Sequence, residues 1–424
     1  MNSKSLDQQG FPLHSLKRLK LQNILSFSPE GADLHLRPLN VLVGPNACGK
    51  SNLLAAISLL RAAPGELWRP LSEGGGTTEW IWKGPGGDAP ASVEAEVECP
   101  SESARADEAV SALSGGRVYH PQADRLLYSL RFKEKAQRFE LVEERVEDAL
   151  PGVEGRQVYF VASADEKKVF VRNPGEDARQ LVDVGPAYQP GRSVLAQWQE
   201  PVSYPELTYL SRLFREYELY RDWAFGPNAA MRRAQRTDLP EDRLLCDASN
   251  LAVVLNDLDH RGLGPTVEGY LRRVYDLAAS IKVRILGGTV HVYVVESGIQ
   301  SPVPPERASD GTLRFLALLA ILLHPEPPPL VCIEEPELGF HPDVMPILAE
   351  LLVDASSRTQ LIVTTHSPEL VDEFSGTPES VLVCERTEQG TQMQRLDAKR
   401  LQKWLTRYRL GELWQKGEIG GTRW

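Results

Sequence analysis

Residues 44–51 read Gly44-Pro45-Asn46-Ala47-Cys48-Gly49-Lys50-Ser51. This run fits the pattern G-x-x-x-x-G-K-[ST], which is typical of a phosphate-binding loop between a strand and a helix. The mainly apolar run 39–43 (LNVLV) predicts the buried strand, and the sequence from about 51 to 61 predicts the helix. Glycines in such a loop let backbone N–H groups converge on phosphate oxygens, and the N-terminus of the helix adds a positive dipole end. The run therefore predicts a nucleotide site at the end of a strand.

Each part of this loop has an expected role. Lys50 is expected to contact the β- and γ-phosphates of ATP, and Ser51 is expected to hold Mg²⁺. The other predicted nucleotide-binding residues are the rest of the loop and the residue after it, namely Gly44, Pro45, Asn46, Ala47, Cys48, Gly49 and Asn52. The alternative is a glycine turn with a purely structural role. ATP and Mg²⁺ are the two cofactors that the pattern implies.

A second pattern joins an apolar run, residues 330–333, to the acids Glu334, Glu335 and Glu337. A buried strand of this kind delivers its carboxylates to the C-terminal edge of the sheet, where open α/β sheets bind ligands. Glu334 is expected to help hold Mg²⁺ through water. Glu335 is expected to orient and deprotonate the attacking water. The alternative is a solvated acidic turn at the end of a strand.

Two shorter patterns complete the predicted site. His366 follows the run 360–365 and could sense the γ-phosphate, although a histidine at a strand end is, taken alone, more often only a polar partner. Ser309, Asp310 and Gly311 lie directly before an apolar helix, where a serine hydroxyl and a backbone N–H group form an anion site. The alternative is an ordinary N-cap, which Ser309 or Asp310 could supply.

These four patterns, in this order, resemble the ABC-type ATPases of the RecF, SMC, Rad50 and OLD group. The likeness covers about residues 12–390. It is strongest to the predicted ATPases of the AAA_21 type, on residues 309–312 (SDGT), residues 334–337 (EEPE) and the pair His341-Pro342. It implies that Ser309 of one subunit caps the γ-phosphate that Lys50 of the other subunit holds. The implied assembly is a homodimer closed through ATP, or a higher even oligomer.

The resemblance also implies a switch, driven by ATP hydrolysis, that acts on DNA or on a partner effector protein in DNA repair or anti-phage defence. The alternative is an ATP-dependent nuclease component that works with a separately encoded nuclease. A nuclease in this same chain is disfavoured, because Asp257 and Asp259 fit a solvated helix end and few residues follow His366. A transport motor is disfavoured because Ala308 and Asp310 differ from the signature of transporter subunits. The glutamine loop of the group is expected within residues 66–92, which contain no glutamine.

The predicted fold class is α/β, an ABC-type ATPase head in which a split P-loop sheet carries an antiparallel β lobe, plus a helical insertion. The predicted parts are an N-terminal head segment (12–92), the β lobe (93–175), the helical insertion (176–280), a C-terminal head segment (281–390) and a tail (391–424). We expect a hairpin with strands 126–132 and 138–142 around a turn at 133–137, helices over 204–223 and 266–279, and strands of the head over 282–286 and 290–295. The tail is expected to dock a partner or the second subunit, or to pack on its own head.

The formal net charge of −11 excludes a protein that is basic overall. Local basic residues could still contact DNA, although acids interleave with the first cluster and favour a solvated helix face there. The two clusters are Arg212, Arg215, Arg221, Arg232, Arg233 and Arg236, and Lys399, Arg400, Lys403, Arg407 and Arg409. Five scattered cysteines without C-x-x-C spacing, no signal-peptide pattern and no apolar run long enough for a membrane span predict a cytoplasmic protein.

Overall fold

The computed structural model describes residues 14–421, except 88, 101–120, 122, 150–156, 165–167, 173–180, 222 and 225. The described strands are β1 (Leu16–Gln22), β2 (Ala32–His35), β3 (Leu39–Val43), β4 (Ala91–Glu98), β5 (Arg125–Lys135), β6 (Arg138–Asp148), β7 (Val158–Ser163), β8 (Lys168–Arg172), β9 (Leu181–Asp183), β10 (Glu218–Tyr220), β11 (Gln235–Arg236), β12 (Ala278–Leu286), β13 (Thr289–Glu296), β14 (Leu330–Glu334), β15 (Gln360–Thr365), β16 (Val381–Thr387) and β17 (Gly390–Arg395). The described helices are α1 (Lys50–Ala62), α2 (Trp68–Glu73), α3 (Thr77–Trp80), α4 (Val194–Gln197), α5 (Pro205–Arg215), α6 (Leu251–His260), α7 (Gly264–Val274), α8 (Asp310–Leu322), α9 (Met345–Ala355), α10 (Pro368–Asp372), α11 (Ala398–Leu405) and α12 (Leu410–Gln415).

A six-stranded sheet joins the two ends of the chain in the order β10-β14-β15-β3-β16-β17. The first five of these strands pair in parallel, and β17 pairs antiparallel with β16 at the edge. Strand β3 comes early in the chain, whereas its neighbours β15 and β16 come late. The split P-loop sheet and the α/β fold class predicted from the sequence are therefore confirmed.

Different layers cover the two faces of this sheet. Val41, Val331 and Val363 lie in one apolar core together with helices α8 and α9. Leu42 and Ile362 lie in a second core together with α1 and the antiparallel sheet. Because both faces are buried, β3, β14 and β15 are mainly apolar and lack the alternation of a half-exposed strand.

An eight-stranded antiparallel sheet, in the order β2-β1-β4-β5-β6-β7-β8-β9, forms the predicted β lobe and also takes in two strands from before the phosphate loop. The predicted turn at 133–137 is wrong in extent, because β5 runs to Lys135 and β6 starts at Arg138. The actual turn is Ala136-Gln137, and both residues have positive φ, 53° and 62°, as a tight two-residue hairpin requires. The ends of both strands are exposed, so no apolar alternation marks them in the sequence.

The interval 176–280, predicted to be helical, contains α4 to α7 and also strands. The predicted helix over 204–223 ends at Arg215, and Glu218–Tyr220 is strand β10, whose Tyr220 pairs with Ile333 of β14. Three residues are too few to show a strand period, which is why the helical pattern seemed to continue. Strands β12 and β13 were expected to join the head sheet, but they form a separate three-stranded sheet with β11. The proposed domain boundaries stay a prediction.

The two helices of the tail pack on the head to different extents. Leu410, Leu413 and Trp414 of α12 are buried, and the Gly411 N–H donates to Asp372 Oδ1 at 2.6 Å. Helix α11 has no buried residue. Leu401 and Leu405 of α11 nevertheless pack, partly buried, against the core. Of the two alternatives for the tail, packing on its own head therefore describes α12 fully and one side of α11, whose other side is exposed.

A buried carboxyl fastens the antiparallel sheet to α4. Glu144 is fully buried, and it accepts hydrogen bonds from Ser193 Oγ, the Val194 N–H and Tyr128 OH at 2.5, 2.8 and 2.8 Å. Burial raises the pKa of this carboxyl from its ordinary 4.5 to about 7. Between these two pH values the folded protein binds more protons than the unfolded chain, so stability falls as the pH rises through this window.

We therefore expect Glu144 to lower the free energy of unfolding by about 3 kcal/mol as the pH rises from about 4.5 to about 7. Glu144→Gln should remove this contribution, so the unfolding free energy of the variant should fall less, or rise more, from pH 4.5 to pH 8 than that of the wild type. Urea unfolding at both pH values measures this difference. Glu143→Gln, on the same strand but half-exposed beside Arg131, is the control. Equal pH dependence in wild type and Glu144→Gln would show that Glu144 does not titrate in this window.

Candidate functional site

The phosphate loop connects β3 to α1, as the sequence predicts. Lys50 is buried, and its Nζ donates to the backbone carbonyls of Gly44 and Pro45 at 2.8 and 3.1 Å. Helix α1 begins at Lys50, directly after Gly49, whose φ of 112° favours glycine. The lysine ammonium therefore lies inside the curve of the loop, at the N-terminus of a helix, where phosphate oxygens are expected to bind.

Strands from the C-terminal part of the chain pack so closely against the loop that no side chain fits at the two glycines of the motif. A Cβ atom on Gly44 would lie 2.2 Å from the carbonyl oxygen of Cys384 in β16. A Cβ atom on Gly49 would lie 2.3 Å from Oγ1 of Thr391 in β17, and this hydroxyl donates to the Cys48 carbonyl at 2.7 Å. Strands β16 and β17 thus hold the outside of the loop.

The hydroxyl of Ser51, in the first turn of α1, lies beside the carboxylate of Glu334, the last residue of β14. Ser51 Oγ donates a hydrogen bond to Glu334 Oε1. Hydroxyl and carboxylate oxygens are the hard ligands that Mg²⁺ prefers, so this donor set fits the metal that the sequence implies. The other oxygen, Glu334 Oε2, accepts a hydrogen bond from Arg221 Nε at 3.1 Å.

Glu335 and His366 face each other at the ends of neighbouring strands. His366 Nε2 lies 3.4 Å from Glu335 Oε1, and both side chains are about one-third exposed. Glu335 has a φ of 46°, a left-handed backbone conformation that is uncommon for a residue with a side chain and is found preferentially at functional sites. Its N–H donates to Thr364 O at 3.0 Å and its carbonyl accepts from Arg314 Nη2 at 2.5 Å, which hold this conformation.

Glu337 fixes the backbone of the histidine. Its Oε1 accepts hydrogen bonds from Thr365 Oγ1 at 2.7 Å and from the His366 N–H at 2.8 Å. Burial raises the pKa of the Glu337 carboxyl above its ordinary value. The third acid of the predicted strand end is therefore not a solvated turn residue, because it braces the loop that carries His366.

Ser309 caps helix α8. Its Oγ accepts from the Thr312 N–H at 2.9 Å, which is the N-cap alternative considered from the sequence. The neighbouring Asp310 pairs with the buried Arg232 at 2.5 Å and accepts from the Gly226 N–H at 3.1 Å. The guanidinium of Arg232 lowers the pKa of the Asp310 carboxyl. An N-cap serine on an exposed turn, braced by an ion pair, still presents its hydroxyl to the surface.

An open cavity of about 450 Å³ lies beside this turn. Ser309, Gly311 and Thr312 form one wall, and Gly339 and His341, from the segment after the acidic strand, form part of the other. Among the described residues, no member of the phosphate loop lines this cavity. The turn of residues 309–312, which we call the signature turn, and the phosphate loop are therefore two separate places on one chain.

The structure brings the predicted residues into three groups: Lys50 with the loop, Ser51 with Glu334, and Glu335 with His366. Asn52, the last predicted nucleotide-binding residue, donates through Nδ2 to Ser26 Oγ at 2.7 Å. The roles of all these residues in binding or hydrolysing a nucleotide stay predictions. Four residues that contact these groups or the turn of Ser309 and Asp310 were missed or given no role in the site: Arg221, Arg232, Arg314 and Glu337. Only Glu337 had a local signal, its place in the acidic run.

Three residues of the first basic cluster have definite partners in the structure. Arg221, Arg232 and Arg236 of the first cluster form ion pairs within the chain. Their partners are Glu334, Asp310 and Asp238. Residues 66–92 contain α2, α3 and the start of β4 and no glutamine, so the expected glutamine loop stays unplaced. Among the described residues, the side chains hydrogen-bonded to Glu334 are those of Ser51 and Arg221.

Two other features noted in the sequence are ordinary. Asp257 pairs with Arg261 at 2.7 Å near the end of α6, but its side chain is only 12% exposed. The solvated helix end expected from the sequence therefore describes the exposed Asp259 and not Asp257. In the described ranges, no three His, Cys, Asp or Glu side chains are grouped so as to hold a metal ion. A membrane-spanning helix is likewise not found among the described residues.

Comparison with solved structures gives two SMC heads as similar folds. One is an SMC head bound to the C-terminal winged-helix domain of ScpA, with a TM-score of 0.55, 11% identity, and coverage of 91% of this chain and 99% of that chain. The other is an SMC head with an extended coiled coil, bound to the C-terminal domain of ScpA derived from Pyrococcus furiosus. Its TM-score is 0.53, with 11% identity and coverage of 92% of this chain and 98% of that chain. At this identity the likeness concerns the fold.

Among curated proteins no sequence matches. The model of one family, described as "AAA domain, putative AbiEii toxin, Type IV TA system", matches residues 39–372. That match runs from the strand before the phosphate loop to the helix after His366, so it includes every group of the candidate site. This match shows that the chain belongs to the AAA_21 family, and its fold is that of an SMC head.

Proposed function

We propose that this protein is a Mg²⁺-dependent ATPase in which two copies close on two ATP molecules. Lys50 and the loop around it would bind the β- and γ-phosphates, and Ser51 and Glu334 would hold the metal, which neutralises phosphate charge when bound. The Glu335 carboxylate would accept the proton of the attacking water, and His366 would contact the γ-phosphate. The contact between Glu335 and His366 at 3.4 Å supports this division of roles.

The observation that carries the dimer proposal is the position of the signature turn. Ser309 is exposed, caps α8 and lines a cavity. Among the described residues, none from the phosphate loop of the same chain lines this cavity. A helix N-terminus with an exposed hydroxyl suits an anion. In a dimer of two copies, this anion would be the γ-phosphate of the ATP bound to the second copy. ATP would then join two heads, and its hydrolysis would release them.

The closing and opening of two heads would act as a switch on DNA or on a partner effector protein, in DNA repair or anti-phage defence. The toxin–antitoxin description of the family is consistent with an effector role. For a protein partner, the exposed helix α11 offers a surface on which Trp404 is 44% exposed beside Lys403 and Arg407. The alternative is an ATPase component that works with a separately encoded nuclease. Proteins that co-purify with the chain would distinguish these two.

Ser309→Arg should abolish dimerisation driven by ATP while each head keeps its own nucleotide site. The arginine would fill the anion site at the start of α8, but it lies outside the phosphate loop. Sizing chromatography with and without a non-hydrolysable ATP analogue measures dimerisation, and equilibrium titration measures nucleotide binding. If the protein is an oligomer even without nucleotide, cross-linking between the signature turns and phosphate loops of two copies replaces sizing chromatography.

Ser357→Arg is the matched control, because Ser357 is an exposed serine shortly before β15, at the opposite edge of the sheet. It should dimerise like the wild type. ATP-dependent dimers of Ser309→Arg as firm as those of the wild type would contradict the proposed role of Ser309 across the interface.

A further inference from the structure

Both oxygens of the Glu334 carboxylate are engaged by other residues of the chain. Oε1 accepts from the Ser51 hydroxyl, and Oε2 accepts from Arg221 Nε at 3.1 Å. A second guanidinium nitrogen, Arg221 Nη2, donates to the Ser51 carbonyl at 3.4 Å. The arginine therefore contacts both of the residues to which metal binding is ascribed.

The position of Arg221 is set by the sheet. It directly follows β10, and Tyr220 of β10 pairs in parallel register with Ile333 of β14. The next residues along the two strands are Arg221 and Glu334, so the pairing brings these two side chains to the same edge. The Glu334 side chain is 17% exposed and that of Arg221 is 31% exposed. A carboxylate so shielded from water needs a counter-charge, and the attraction is stronger than for a fully exposed pair.

We propose that Arg221 is a positioning residue that acts as the internal counter-cation of the metal site. Its guanidinium holds Glu334 in place before a metal binds, competes with Mg²⁺ for this carboxylate, and pairs with the terminal phosphate of the nucleotide once the carboxylate is taken. An arginine suits both partners, because its planar fork of donors matches carboxylate and phosphate alike and its charge is permanent. The inference rests on the proposed ATPase function.

This role has two consequences of opposite sign. Without Mg²⁺, the guanidinium adds positive charge near the phosphates, so Arg221 strengthens the binding of metal-free nucleotide. With Mg²⁺, the same guanidinium must first be displaced from Glu334, so Arg221 reduces the gain in affinity that the metal brings. A residue that only stabilised the fold would change the affinity by the same factor in both conditions.

Arg221→Gln should therefore weaken binding in EDTA by roughly tenfold and increase the Mg²⁺-dependent gain by roughly tenfold. The measurement is equilibrium titration with a fluorescent β,γ-imido analogue of ATP, in EDTA and in Mg²⁺. The readout is the ratio of the two dissociation constants. Arg221→Lys, which keeps a positive charge, should restore much of the binding in EDTA, and it replaces Arg221→Gln as the test if the latter does not fold. Arg131→Gln, which breaks a comparable Arg–Glu pair with Glu143 in the antiparallel sheet, should leave the ratio unchanged.

An unchanged ratio in Arg221→Gln, whether binding is intact or uniformly weaker, would overturn the inference and leave the proposed function standing. The proposed function itself fails in a different way: the wild type would then bind no analogue in either condition.

Discussion

Glu335→Gln should lower the rate of ATP hydrolysis by ~10²–10⁴, the usual loss when a general base is removed. The amide keeps the size of the carboxylate and can still hydrogen-bond to water, but it cannot accept the proton. Glu335 is already held by the backbone bonds to Thr364 and Arg314, so the substitution should leave the loop in place. Nucleotide binding should persist, because Lys50, Ser51 and Glu334 are unchanged.

Steady-state phosphate release measures the rate, and equilibrium titration of Mg²⁺–ATP measures binding. Because ATP would persist on this variant, sizing chromatography with ATP should also show more dimer than for the wild type. Adding Ser309→Arg should reverse that shift. Glu369→Gln is the control, since Glu369 is a carboxylate three residues after His366 whose Oε2 accepts a hydrogen bond from Ser367 Oγ at 2.8 Å. Wild-type turnover by a clean preparation of Glu335→Gln would remove Glu335 from the role of base.

The parts of the site that the sequence predicted are those whose chemistry needs contiguous residues. A phosphate loop requires glycines and a lysine at fixed spacing, since one short turn must wrap around the phosphates. Likewise, a strand that ends in carboxylates can be predicted because the strand and its acids are neighbours in the chain. The structure places Ser51 beside Glu334 and Glu335 beside His366, as expected for residues at the C-terminal edge of one sheet.

The parts that the sequence did not predict depend on pairing between distant segments. Arg221 reaches Glu334 because β10 joins β14, and this three-residue strand lies within a pattern that indicated a helix. Arg232 was grouped with basic residues that could meet DNA, yet it is buried and pairs with Asp310. Nothing in the spacing of these arginines distinguishes a residue that supports the site from one that faces solvent. Only the contact with a distant acid does so.

The fold of the middle of the chain shows the same limit. The β lobe was predicted because its strands from β4 onward alternate and follow one another closely in the chain, so each pairs with a sequential neighbour. The pairing of β4 with β1 was not predicted, because the phosphate loop and α1 separate these strands in the chain. The three-stranded sheet was wrongly joined to the head, because an alternating strand does not specify which sheet it enters. Periodicity predicts the type of an element, whereas the partner depends on which buried surfaces meet.

Lys50→Ala should weaken the binding of ATP by ~10²-fold or more and abolish its hydrolysis. The estimate follows from losing charge-assisted hydrogen bonds to two phosphate groups, each worth about 1.5–3 kcal/mol. The ammonium is buried and is held by the Gly44 and Pro45 carbonyls, so it is already oriented before a nucleotide binds. Little entropy of ordering then opposes its contact with phosphate, which is why this single group should have so large an effect.

The alanine variant also removes the two hydrogen bonds inside the loop, so a loss of binding could reflect a distorted loop. Lys50→Met separates the two causes, because methionine fills much of the buried space of the lysine stem without its charge. If charge is the cause, both variants should lose binding alike while their unfolding temperatures stay near that of the wild type. Lys403→Ala, on the exposed helix α11, is the control for the loss of a lysine and should bind ATP normally. Hydrolysis at the wild-type rate by pure Lys50→Ala would mean that the phosphates bind elsewhere, and the site would have to be reassigned.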